Sequence, residues 1–487
     1  MRERNTDSRR ELVREIAMAI ADAGGKLYYV GGCVRDSLLY GSDIYASPGT
    51  HDIDLEAHGI LPVDLESILK QFGEVKTVGK SFGVFQLSGK HDLDIGMPRK
   101  ETSTGGKHTD FRVEVDPFIG EKEAARRRDL TINSLMQNVL TGEILDFYGG
   151  KKDLEQGVLR AVDLKTFPDD PLRVFRVARF DSRFMRADGM PFQIDFDTLV
   201  LCSQIDTTTL SRERVMEETN KALLSDSPAA YFNALLLMRQ LQVWFPELYN
   251  LIGVKQDPNH HPEGDAFVHT MLVVNQAASE RHYATQPLYA MWAALCHDLG
   301  KSLSTSIGED GKIRAIGHED TGVKLAGEML NRLTADKKLK HYVKNMVQYH
   351  MKPNAMAKAQ LENNSGPYPN HHHQKHLNHL FDKSVEPNDL LFLAWADYTG
   401  RGKDKKRPPY EPLERYLRLG LYEYHHMLQY PMVTGDDLVE LGYKPNGAFK
   451  DALELSRKLL LAGVSKEEAL PMVVKTKGLV KQSEQTA

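Results

Sequence analysis

The sequence predicts an α+β protein in which a small head, built on a mixed sheet, is followed by mostly α-helical domains. Between residues 27 and 160, short apolar runs alternate with turn residues, which is typical of the strands of a small mixed domain. After Val162 the apolar residues recur at helical spacing for most of the remaining chain. A chain of 487 residues is too long for one hydrophobic core, so we expect several domains.

The individual elements follow from the same patterns. Residues 7–23 predict an amphipathic helix, residues 27–30 a buried strand, and Val34 the start of the next helix. Further helices are predicted over "PDDPLRVFRVARFDSRF", over "SRERVMEETNKALLSD" and up to the segment "CHDLGK". Residues 363–374 ("NNSGPYPNHHHQ") predict an exposed loop, and a helical tail follows the basic, proline-bearing segment "RGKDKKRPPYEP".

The composition excludes several classes of protein. A hydrophobic content of 41% and a charged content of 26% are ordinary for a globular protein. The formal net charge of −5 argues against a uniformly basic nucleic-acid binder, so any RNA contact would use local patches. Three widely separated cysteines argue against a disulfide framework or a cysteine zinc site. We find no signal-like or membrane-spanning stretch and expect a cytoplasmic protein without a membrane partner.

Asp52 and Asp54, in "HDIDLE", are the most informative residues of the chain. Side chains two positions apart on a strand point to the same face, so both carboxylates can hold one divalent metal ion. Upstream, the strand "LYYV" runs into Gly31-Gly32 and a helix start, which presents backbone N–H groups to phosphate. An acidic pair on its own is usually only solvated, and a Gly-Gly pair on its own is usually only a turn. Together they indicate phosphoryl or nucleotidyl transfer.

Two arginine-rich segments fit this chemistry. "RRRDLTINSL" would place a guanidinium on a triphosphate, with Asp129 and Asn133 fixing the neighbouring backbone and sugar. The alternative is a solvated basic turn before a capped helix. In "DDPLRVFRVARF", Asp170 has the chemistry of a helix N-cap, while three arginines spaced by three residues predict one cationic ridge. A cap alone would not require that ridge.

The ordered set "YVGGCVRD", "DIDLE", "RRRDLTINSL", "GEILDFYGG", "DDPLRVFRVARF" and "LSRERVMEE" resembles the bacterial (class II) tRNA CCA-adding nucleotidyltransferases. That family shares its head with bacterial poly(A) polymerases, and the resemblance covers residues 28–218. It implies a five-stranded nucleotidyltransferase head and a helical neck. It also implies an enzyme that uses CTP, ATP and Mg²⁺ to add CCA to the 3′ end of tRNA.

The resemblance assigns roles by position. Asp52 and Asp54 would bind the catalytic magnesium, and Asp94 would be the third acidic residue, with Asp92 as its competitor on the same strand face. Together with the candidates proposed from the arginine-rich segments, the predicted nucleotide-binding residues are Gly32, Arg35, Arg128, Asp129, Asn133, Asp170, Arg173, Arg176 and Arg179.

Asp170 and Arg173 occupy the positions at which the family reads the incoming base with protein side chains. A carboxylate accepts a hydrogen bond from the exocyclic amine of cytosine or adenine but faces another acceptor in uracil or guanine. An unpaired buried acceptor costs about 1–3 kcal/mol, enough to discriminate between bases. Asp169 stands where the family usually has Glu. Lys80 is followed by Ser81 and not by a second basic residue, which favours CCA addition over poly(A) addition.

A second site is predicted in the helical half of the chain. "AALCHDLGKSL" places a His-Asp pair at the end of an apolar helix and resembles the HD phosphohydrolase superfamily. In that superfamily one upstream His, the His-Asp pair and a distant Asp bind metal, and such ligands suit Mn, Ni, Fe or Zn. The predicted ligands are His269, His297, Asp298 and Asp397. His318 and His350 lie further along the same segment. A histidine on an apolar face is otherwise usually a core residue, and an HD fold can also serve as an RNA-holding scaffold.

The predicted domains are an N-terminal helical extension (1–25), the nucleotidyltransferase head (26–160), a helical neck for template reading and RNA binding (161–256), an HD domain (257–402) and a helical, tRNA-contacting tail (403–487). Three alternatives remain open. The first is a poly(A) polymerase or a partial, A- or CC-adding enzyme. The second is an HD metal-dependent phosphohydrolase with a nucleotide-binding regulatory head, and the third is a non-catalytic RNA-binding protein. The Asp52/Asp54 pair argues against the last two.

Overall fold

The computed structural model describes residues 2–46, 53–78, 83–88, 91–103, 111–186, 188–362, 368–402 and 408–481. Its internal contacts divide the chain into two compact units, residues 1–222 with 230–244, and residues 223–229 with 245–487. The predicted α+β class is confirmed, because the main sheet belongs to the first unit and the second unit is built mainly from helices.

The strands as far as residue 244 are β1 (Lys26–Val30), β2 (Asp54–His58), β3 (Glu74–Val78), β4 (Val84–Ser88), β5 (Leu93–Gly96), β6 (Arg99–Ser103), β7 (Phe111–Val115), β8 (Met136–Asn138), β9 (Ile144–Leu145), β10 (Val158–Leu159) and β11 (Gln193–Ile194). Within the described ranges, seven of them form one mixed sheet in the order β3-β4-β5-β2-β1-β8-β9. The five strands implied by the resemblance are therefore extended by β8 and β9. This short hairpin pairs with β1 and covers what would otherwise be an open sheet edge.

The helices of the same region are α1 (Arg2–Asp22), α2 (Gly32–Tyr40), α3 (Pro62–Leu69), α4 (Glu121–Arg126), α5 (Gly150–Gln156), α6 (Leu172–Arg183), α7 (Phe196–Gln204), α8 (Arg212–Leu223), α9 (Pro228–Leu237) and α10 (Leu241–Trp244). The amphipathic helix predicted at the N-terminus is α1, whose Ile16 and Ile20 are fully buried in the head core. In α6, Phe175 and Val177 are buried, and Phe175 packs edge-on against Trp244.

The second unit holds most of the remaining elements, which are α11 (Pro246–Tyr249), α12 (Ala266–Ser279), α13 (Pro287–Cys296), α14 (Lys301–Ser304), β12 (Thr305–Ile307), β13 (Ile313–Ala315), α15 (His318–Leu333), α16 (Lys337–Tyr349), α17 (Met351–Glu362), α18 (His371–Lys383), α19 (Pro387–Thr399), α20 (Glu411–Met427), α21 (Gly435–Glu440), α22 (Ala448–Leu461) and α23 (Lys466–Val473). Helix α13 is the apolar helix predicted before the His-Asp pair, and its residues from Ala290 to Cys296 are all buried.

The predicted loop over residues 363–374 is wrong in its second half. Residues 363–367 lie outside the described part of the chain, but α18 begins at His371. The side chain of Asn370 accepts the N–H of His373 at 3.0 Å, which is the contact of an N-cap. Leu377 and Phe381, four residues apart on α18, are both buried. The run of histidines is therefore the first turn of a packed helix.

Candidate active sites

Two carboxylates of the head lie side by side on the outer face of the sheet. Asp54, at the start of β2, pairs in register with Asp94 of the parallel neighbour β5, and both side chains are exposed. Opposite residues on neighbouring strands have Cβ atoms about 5 Å apart, so the two carboxylates can approach one cation. Asp92, the competitor of Asp94, precedes β5. Asp52 lies outside the described residues.

The turn after β1 closely approaches an arginine. Gly31 has φ +68°, and a Cβ at this position would lie 3.3 Å from Arg128 Nη1. Gly32 then opens α2. Arg128 Nη2 donates to Glu56 Oε2 at 2.9 Å. Burial opposes the ionisation of Glu56, but Arg128 and a hydrogen bond from His58 lower its pKa to about 2. An ionised Glu56 therefore holds the guanidinium beside the glycine turn.

A chain of hydrogen bonds joins α2 to α6 and uses four of the predicted nucleotide-binding residues. Arg35 Nη1 donates to Asn133 Oδ1, Asn133 Nδ2 donates to Asp129 Oδ1 at 2.8 Å, and Arg176 Nε donates to Asp129 Oδ2 at 2.6 Å. Burial opposes the ionisation of Asp129, yet Arg176 and Asn133 hold the pKa of its carboxyl well below the usual range. The chain fixes the orientation of α6 relative to the head sheet.

Helix α6 carries four arginines, and the three that were predicted as one cationic ridge are each engaged by other groups of the protein. Arg179 Nε is buried and donates to Glu218 Oε2. Two further contacts were not foreseen from the sequence. Asp36 accepts from Arg35 Nε at 2.7 Å and from Arg183 Nη2 at 3.0 Å, which ties the other end of α6 to α2. The sequence offered one signal for Glu218, because it belongs to the motif "LSRERVMEE".

The two predicted base-reading residues flank the start of α6. Arg173 is buried and donates to the main-chain carbonyls of Thr166 at 2.8 Å and Arg127 at 2.7 Å. Asp170 accepts an N–H at the start of α6, as a capping residue does. Both of its oxygens also accept from Arg214 Nη2 of α8, at 3.0 and 2.9 Å. Arg214 belongs to the motif "LSRERVMEE" and received no role from the sequence.

Helices α12, α13 and α19 bring the four predicted ligands of the second site together. His269 Nε2 and His297 Nε2 lie 3.3 and 3.1 Å from Asp298 Oδ2. His269 Nε2 is also 3.2 Å from Asp397 Oδ1. All four residues are at most 3% exposed. Imidazole nitrogens and carboxylate oxygens from three helices thus converge on one small volume, which can hold a metal ion.

The second ring nitrogen of each of these histidines fixes its tautomer. His297 Nδ1 lies 2.8 Å from the carbonyl oxygen of Ala294, which can only accept, so Nδ1 carries the proton. His269 Nδ1 lies 2.8 Å from Glu263 Oε1, which also contacts His261 Nδ1 at 3.0 Å. Nε2 is therefore the nitrogen of each ring that would bind a metal ion. Sequence reasoning missed Glu263, which lies in a loop without periodicity.

The carboxylates of this site are ionised. Burial opposes the charge on Asp298, but His297 and Lys301 hold its pKa well below the usual range, and Lys301 Nζ lies 2.6 Å from Oδ2. Burial likewise opposes the charge on Asp397, whereas Arg401 and the neighbouring imidazole lower its pKa. Ionised carboxylates and imidazole nitrogens therefore meet in this site.

His318 and His350 lie against the same aspartate, although the HD motif assigned a role to neither of them. His318 Nε2 and His350 Nε2 are 3.4 and 3.7 Å from Asp298 Oδ1. Gly300 permits this approach, because a Cβ at this position would lie 1.9 Å from the carbonyl oxygen of His318. A cavity of about 570 Å³ opens beside the cluster and is lined in part by Lys301, His318, Lys358, Asp397 and Arg401. That volume suits a small phosphorylated ligand.

Comparisons with known proteins match this arrangement. The family model described as "Poly A polymerase head domain" matches residues 27–160, and the one described as "HD domain" matches residues 267–402. A third, "Probable RNA and SrmB- binding site of polymerase A", matches residues 192–251. The chain is thus a nucleotidyltransferase joined to an HD domain.

Among curated proteins, the Multifunctional CCA protein of Actinobacillus pleuropneumoniae is 38% identical over 341 residues, covering 69% of this chain and 78% of that protein. The Multifunctional CCA protein of Pasteurella multocida is 34% identical over 454 residues, covering 92% and 98%. The chain therefore belongs to the multifunctional CCA protein family.

Solved structures show the same fold. The Bacillus stearothermophilus CCA-adding enzyme in complex with CTP aligns with a TM-score of 0.61 at 20% identity, covering 96% of each chain. The Thermotoga maritima CCA-adding enzyme complexed with tRNA aligns with a TM-score of 0.57 at 19% identity, covering 95% of this chain and 94% of that one. The nucleotidyltransferase and HD domains imply that the protein depends on divalent metal. Among the described residues, no helix has the length and apolar character needed to cross a membrane.

Proposed function

We propose that this protein adds C, C and A to the 3′ end of tRNA, using CTP and ATP and releasing pyrophosphate. The observation that carries the proposal is the register of Asp54 with Asp94 on the same sheet as the glycine turn at Gly31. The names of the curated relatives support it, as does the solved complex of a related CCA-adding enzyme with tRNA.

The head would hold Mg²⁺ through Asp52 and Asp54, with Asp94 as the third carboxylate. Exposed carboxylates on a sheet face suit a hard cation that keeps part of its water shell. When bound, magnesium neutralises charge on the triphosphate and makes the 3′-hydroxyl of the RNA easier to deprotonate. Asp54 and Asp94 would orient these reacting groups on one face of the sheet.

The triphosphate would lie on the turn between β1 and α2. Gly32 begins α2, where backbone N–H groups point away from the helix towards an anion. Arg128 adds a guanidinium at the same turn, held by Glu56. Arg35 and Arg176 join α2 to α6 through hydrogen bonds to Asn133 and Asp129. Arg179 stabilises α6 through its own buried ion pair.

Asp170 and Arg173 would read the base. Arg173 is anchored on main-chain carbonyls, and Asp170 is held between the start of α6 and Arg214. The carboxylate of Asp170 would accept from the amine of cytosine or adenine. A uracil or guanine carbonyl at the same place would face a second acceptor without a proton between them.

The HD domain would act as a metal-dependent phosphohydrolase. His269, His297, Asp298 and Asp397 would hold a transition metal ion, with Mn, Ni, Fe and Zn suited to their mixture of imidazole and carboxylate donors. The observation that favours this second activity is the burial of the whole ligand set beside an open, partly cationic cavity. Around these two sites we retain the domain division given above, with the tail after residue 403 contacting tRNA.

One assay tests the nucleotidyltransferase proposal. The protein is incubated with tRNA that lacks its 3′ CCA and with CTP and ATP, separately and together, and the products are sized on a gel. We expect three added nucleotides with both substrates and two with CTP alone. A long A tail would indicate a poly(A) polymerase, addition of only CC or only A a partial enzyme, and no product a purely RNA-binding protein.

The HD proposal is tested with 4-nitrophenyl phosphate and bis(4-nitrophenyl) phosphate in the presence of Mn²⁺, Ni²⁺ or Mg²⁺. We expect metal-dependent release of 4-nitrophenol that is lost in His297→Ala, while that variant still extends tRNA. Absence of hydrolysis with every metal would assign the HD fold here to a structural, RNA-holding role.

A further inference from the structure

A row of lysines on α16 and α17 lies mostly outside the two candidate active sites. Residues 337–361 contain six lysines and no aspartate or glutamate, although the whole chain has a formal net charge of −5. Of these six, only Lys358 lines the HD cavity. Lysine runs are usually solvated helix faces, so their meaning depends on how the side chains are arranged in space.

Two neighbouring surface cavities collect these side chains into one groove. The first cavity has a volume of about 400 Å³ and follows α16. The second has a volume of about 380 Å³ and lies beside α17 and α18. Tyr349 lines both cavities, so they are continuous, and we call them together the α16–α18 groove. The lysines that line this groove are Lys337, Lys340, Lys344, Lys352 and Lys383.

The groove is cationic and holds no opposing charge. Four histidines also line it, and none of its described lining residues is an aspartate or glutamate. Elsewhere on the chain, Lys70, Lys221 and Lys458 each pair with a glutamate four residues away. Within the described residues no such ion pair holds a groove lysine, and Lys340 instead donates to the side-chain oxygen of Asn331 at 2.7 Å. The groove therefore presents positive charge that the protein itself does not neutralise.

The acids around the groove have partners of their own. Asp336 caps α16, where its side chain accepts two main-chain N–H groups. Asp382 of α18 pairs with Arg457 at 2.6 Å. Asp320 accepts from the side chain of Gln348 at 2.8 Å. These contacts hold the three carboxylates in place without an ion pair to a groove lysine.

The spacing along α16 suits a chain of phosphates. Lys337, Lys340 and Lys344 are three and four residues apart, so they lie on one face of the helix. Neighbouring positions on such a face are about 5–6 Å apart, and the three residues span about 10 Å along the helix axis. A nucleic-acid strand carries one negative charge per nucleotide at regular intervals, so successive phosphates can meet successive lysines.

An aromatic ring lies where the two cavities meet. Lys352 Nζ is 4.7 Å from the centroid of the Tyr349 ring. Cations beside an aromatic face are the combination with which proteins hold unpaired bases together with their phosphates. A lipid surface fits less well, because α16 and α18 are fully described and none of their large apolar side chains is exposed.

We propose that the α16–α18 groove binds the sugar–phosphate backbone of RNA. The groove lies apart in sequence from residues 192–251, which match the RNA-binding family model, and from the tail after residue 403. The inference rests on the proposed action on tRNA and adds a contact that the HD domain makes to the same RNA. Because phosphates carry no sequence information, this contact holds RNA without selecting its 3′ end.

Salt-dependent RNA binding tests the inference. Fluorescence anisotropy with labelled tRNA that lacks its 3′ CCA gives the Kd of the full chain at several NaCl concentrations. The groove variant carries Lys337→Gln, Lys340→Gln and Lys344→Gln. Its matched control carries Lys70→Gln, Lys151→Gln and Lys152→Gln, which remove the same charge from exposed lysines of the head. Circular dichroism verifies that both variants are folded.

We expect the groove variant to bind tRNA on the order of tenfold more weakly at physiological salt, and the control to stay within about twofold of wild type. The slope of log Kd against log[NaCl] should fall by about 2–3 in the groove variant, since three phosphate contacts are lost. An unrelated RNA hairpin should lose affinity by the same factor, because the contact is to the backbone. The kcat for nucleotide addition at saturating tRNA should be unchanged.

Equal Kd values for wild type and the groove variant, or an equal loss in the control, would overturn the inference. An unchanged Kd for RNA with lost binding to phosphatidylglycerol vesicles would also overturn it and assign the groove to a lipid surface. If the wild-type protein fails to extend tRNA, the nucleotidyltransferase proposal fails, whereas the binding comparison still decides the groove. A second variant, Lys352→Gln with Lys383→Gln, repeats the test on the other half of the groove and should lower the slope by about 1–2.

Discussion

The head and the HD centre use the same side chain, aspartate, in opposite surroundings. In the head, Asp54 and Asp94 lie on an exposed sheet face and are screened by water. In the HD centre, Asp298 and Asp397 are 1% and 3% exposed and are surrounded by imidazoles. An exposed carboxylate pair tolerates the absence of its metal ion, whereas a buried cluster of acceptors does not. The proposed head site would therefore bind and release metal with its nucleotide, and the proposed HD site would retain its metal.

The largest effect is expected in the head, where the exposed carboxylate pair is tested. Asp54→Ala should lower kcat for CTP and ATP incorporation by a factor on the order of 10³ or more, because the exposed carboxylate is the proposed metal ligand and contributes little to packing. The unfolding temperature should stay within about 2 °C of wild type, as for most surface substitutions. Single-turnover tRNA extension and calorimetry measure the two quantities.

His297→Ala is the matched control from the other site, and it should leave incorporation unchanged. Strong residual incorporation by a folded Asp54→Ala protein would mean that the head site is misassigned. Loss of incorporation in a folded His297→Ala protein would instead show that the two sites do not act independently.

The positions of both candidate sites could be predicted from the sequence, because their signals are local. Apolar residues alternate with Asp54 and Asp94 along the strands, and an apolar run precedes His297. The approach of His350 to Asp298 could not be predicted, because His350 follows α16 and meets Asp298 only through tertiary packing across more than fifty residues. Arg214 was likewise visible only as part of a motif. The first turn of α18 was missed although Asn370 is a good N-cap residue, because histidine itself has weak helix propensity.

The second prediction tests whether the buried cluster of the HD centre depends on metal for its stability. If the HD centre holds metal as proposed, removing that metal with a chelator should destabilise this unit by about 3 kcal/mol when it was present at 100 times its dissociation constant. The head should lose much less, since its carboxylates return to water. Calorimetry with and without EDTA, followed by restoration with Ni²⁺, measures the shift. The variant His269→Ala with His297→Ala should respond less to EDTA than wild type, and an equal response would assign the shift to some other site.

The third prediction concerns Glu56, whose pKa is lowered from 4.5 to about 2. A carboxyl group with a depressed pKa in the folded state stabilises the protein above pH 4.5, and this contribution is lost as the pH falls towards 2. The depression corresponds to about 3 kcal/mol in the free energy of unfolding. Glu56→Gln should therefore be less stable than wild type at pH 7 by up to that amount. At about pH 2.5 the difference should be mostly gone.

Urea unfolding of both proteins at several pH values measures the difference. Asp43→Asn provides a matched control, because Asp43 pairs with Arg10 in an exposed ion pair that should contribute about 1 kcal/mol or less. A Glu56→Gln penalty that stays constant between pH 7 and pH 2.5 would contradict the buried ion pair with Arg128.

The smallest effect is expected in base selection. Asp170→Ala should raise the incorporation of UTP and GTP relative to CTP and ATP by about 1–3 kcal/mol, or roughly one to two orders of magnitude, because it deletes the acceptor that opposes uracil O4 and guanine O6. The same substitution also removes the contacts to the start of α6 and to Arg214, so some loss of stability is expected as well. The ratio of kcat/KM for CTP and UTP separates the two effects, since a lost cap alone would leave that ratio unchanged.

Asp169→Glu sharpens the same prediction in the other direction. It places the usual family residue next to Asp170 without touching the proposed acceptor, and the side chain gains only one methylene group. In Asp169→Glu the selectivity should stay the same or improve by a few-fold. Arg214→Gln removes a hydrogen-bond donor to Asp170. It should therefore lower the selectivity, but by less than Asp170→Ala does. The order Asp169→Glu, wild type, Arg214→Gln, Asp170→Ala in CTP:UTP preference is the expected outcome. An unchanged ratio in Asp170→Ala would refute the base-reading role and leave Asp170 as a cap paired with Arg214.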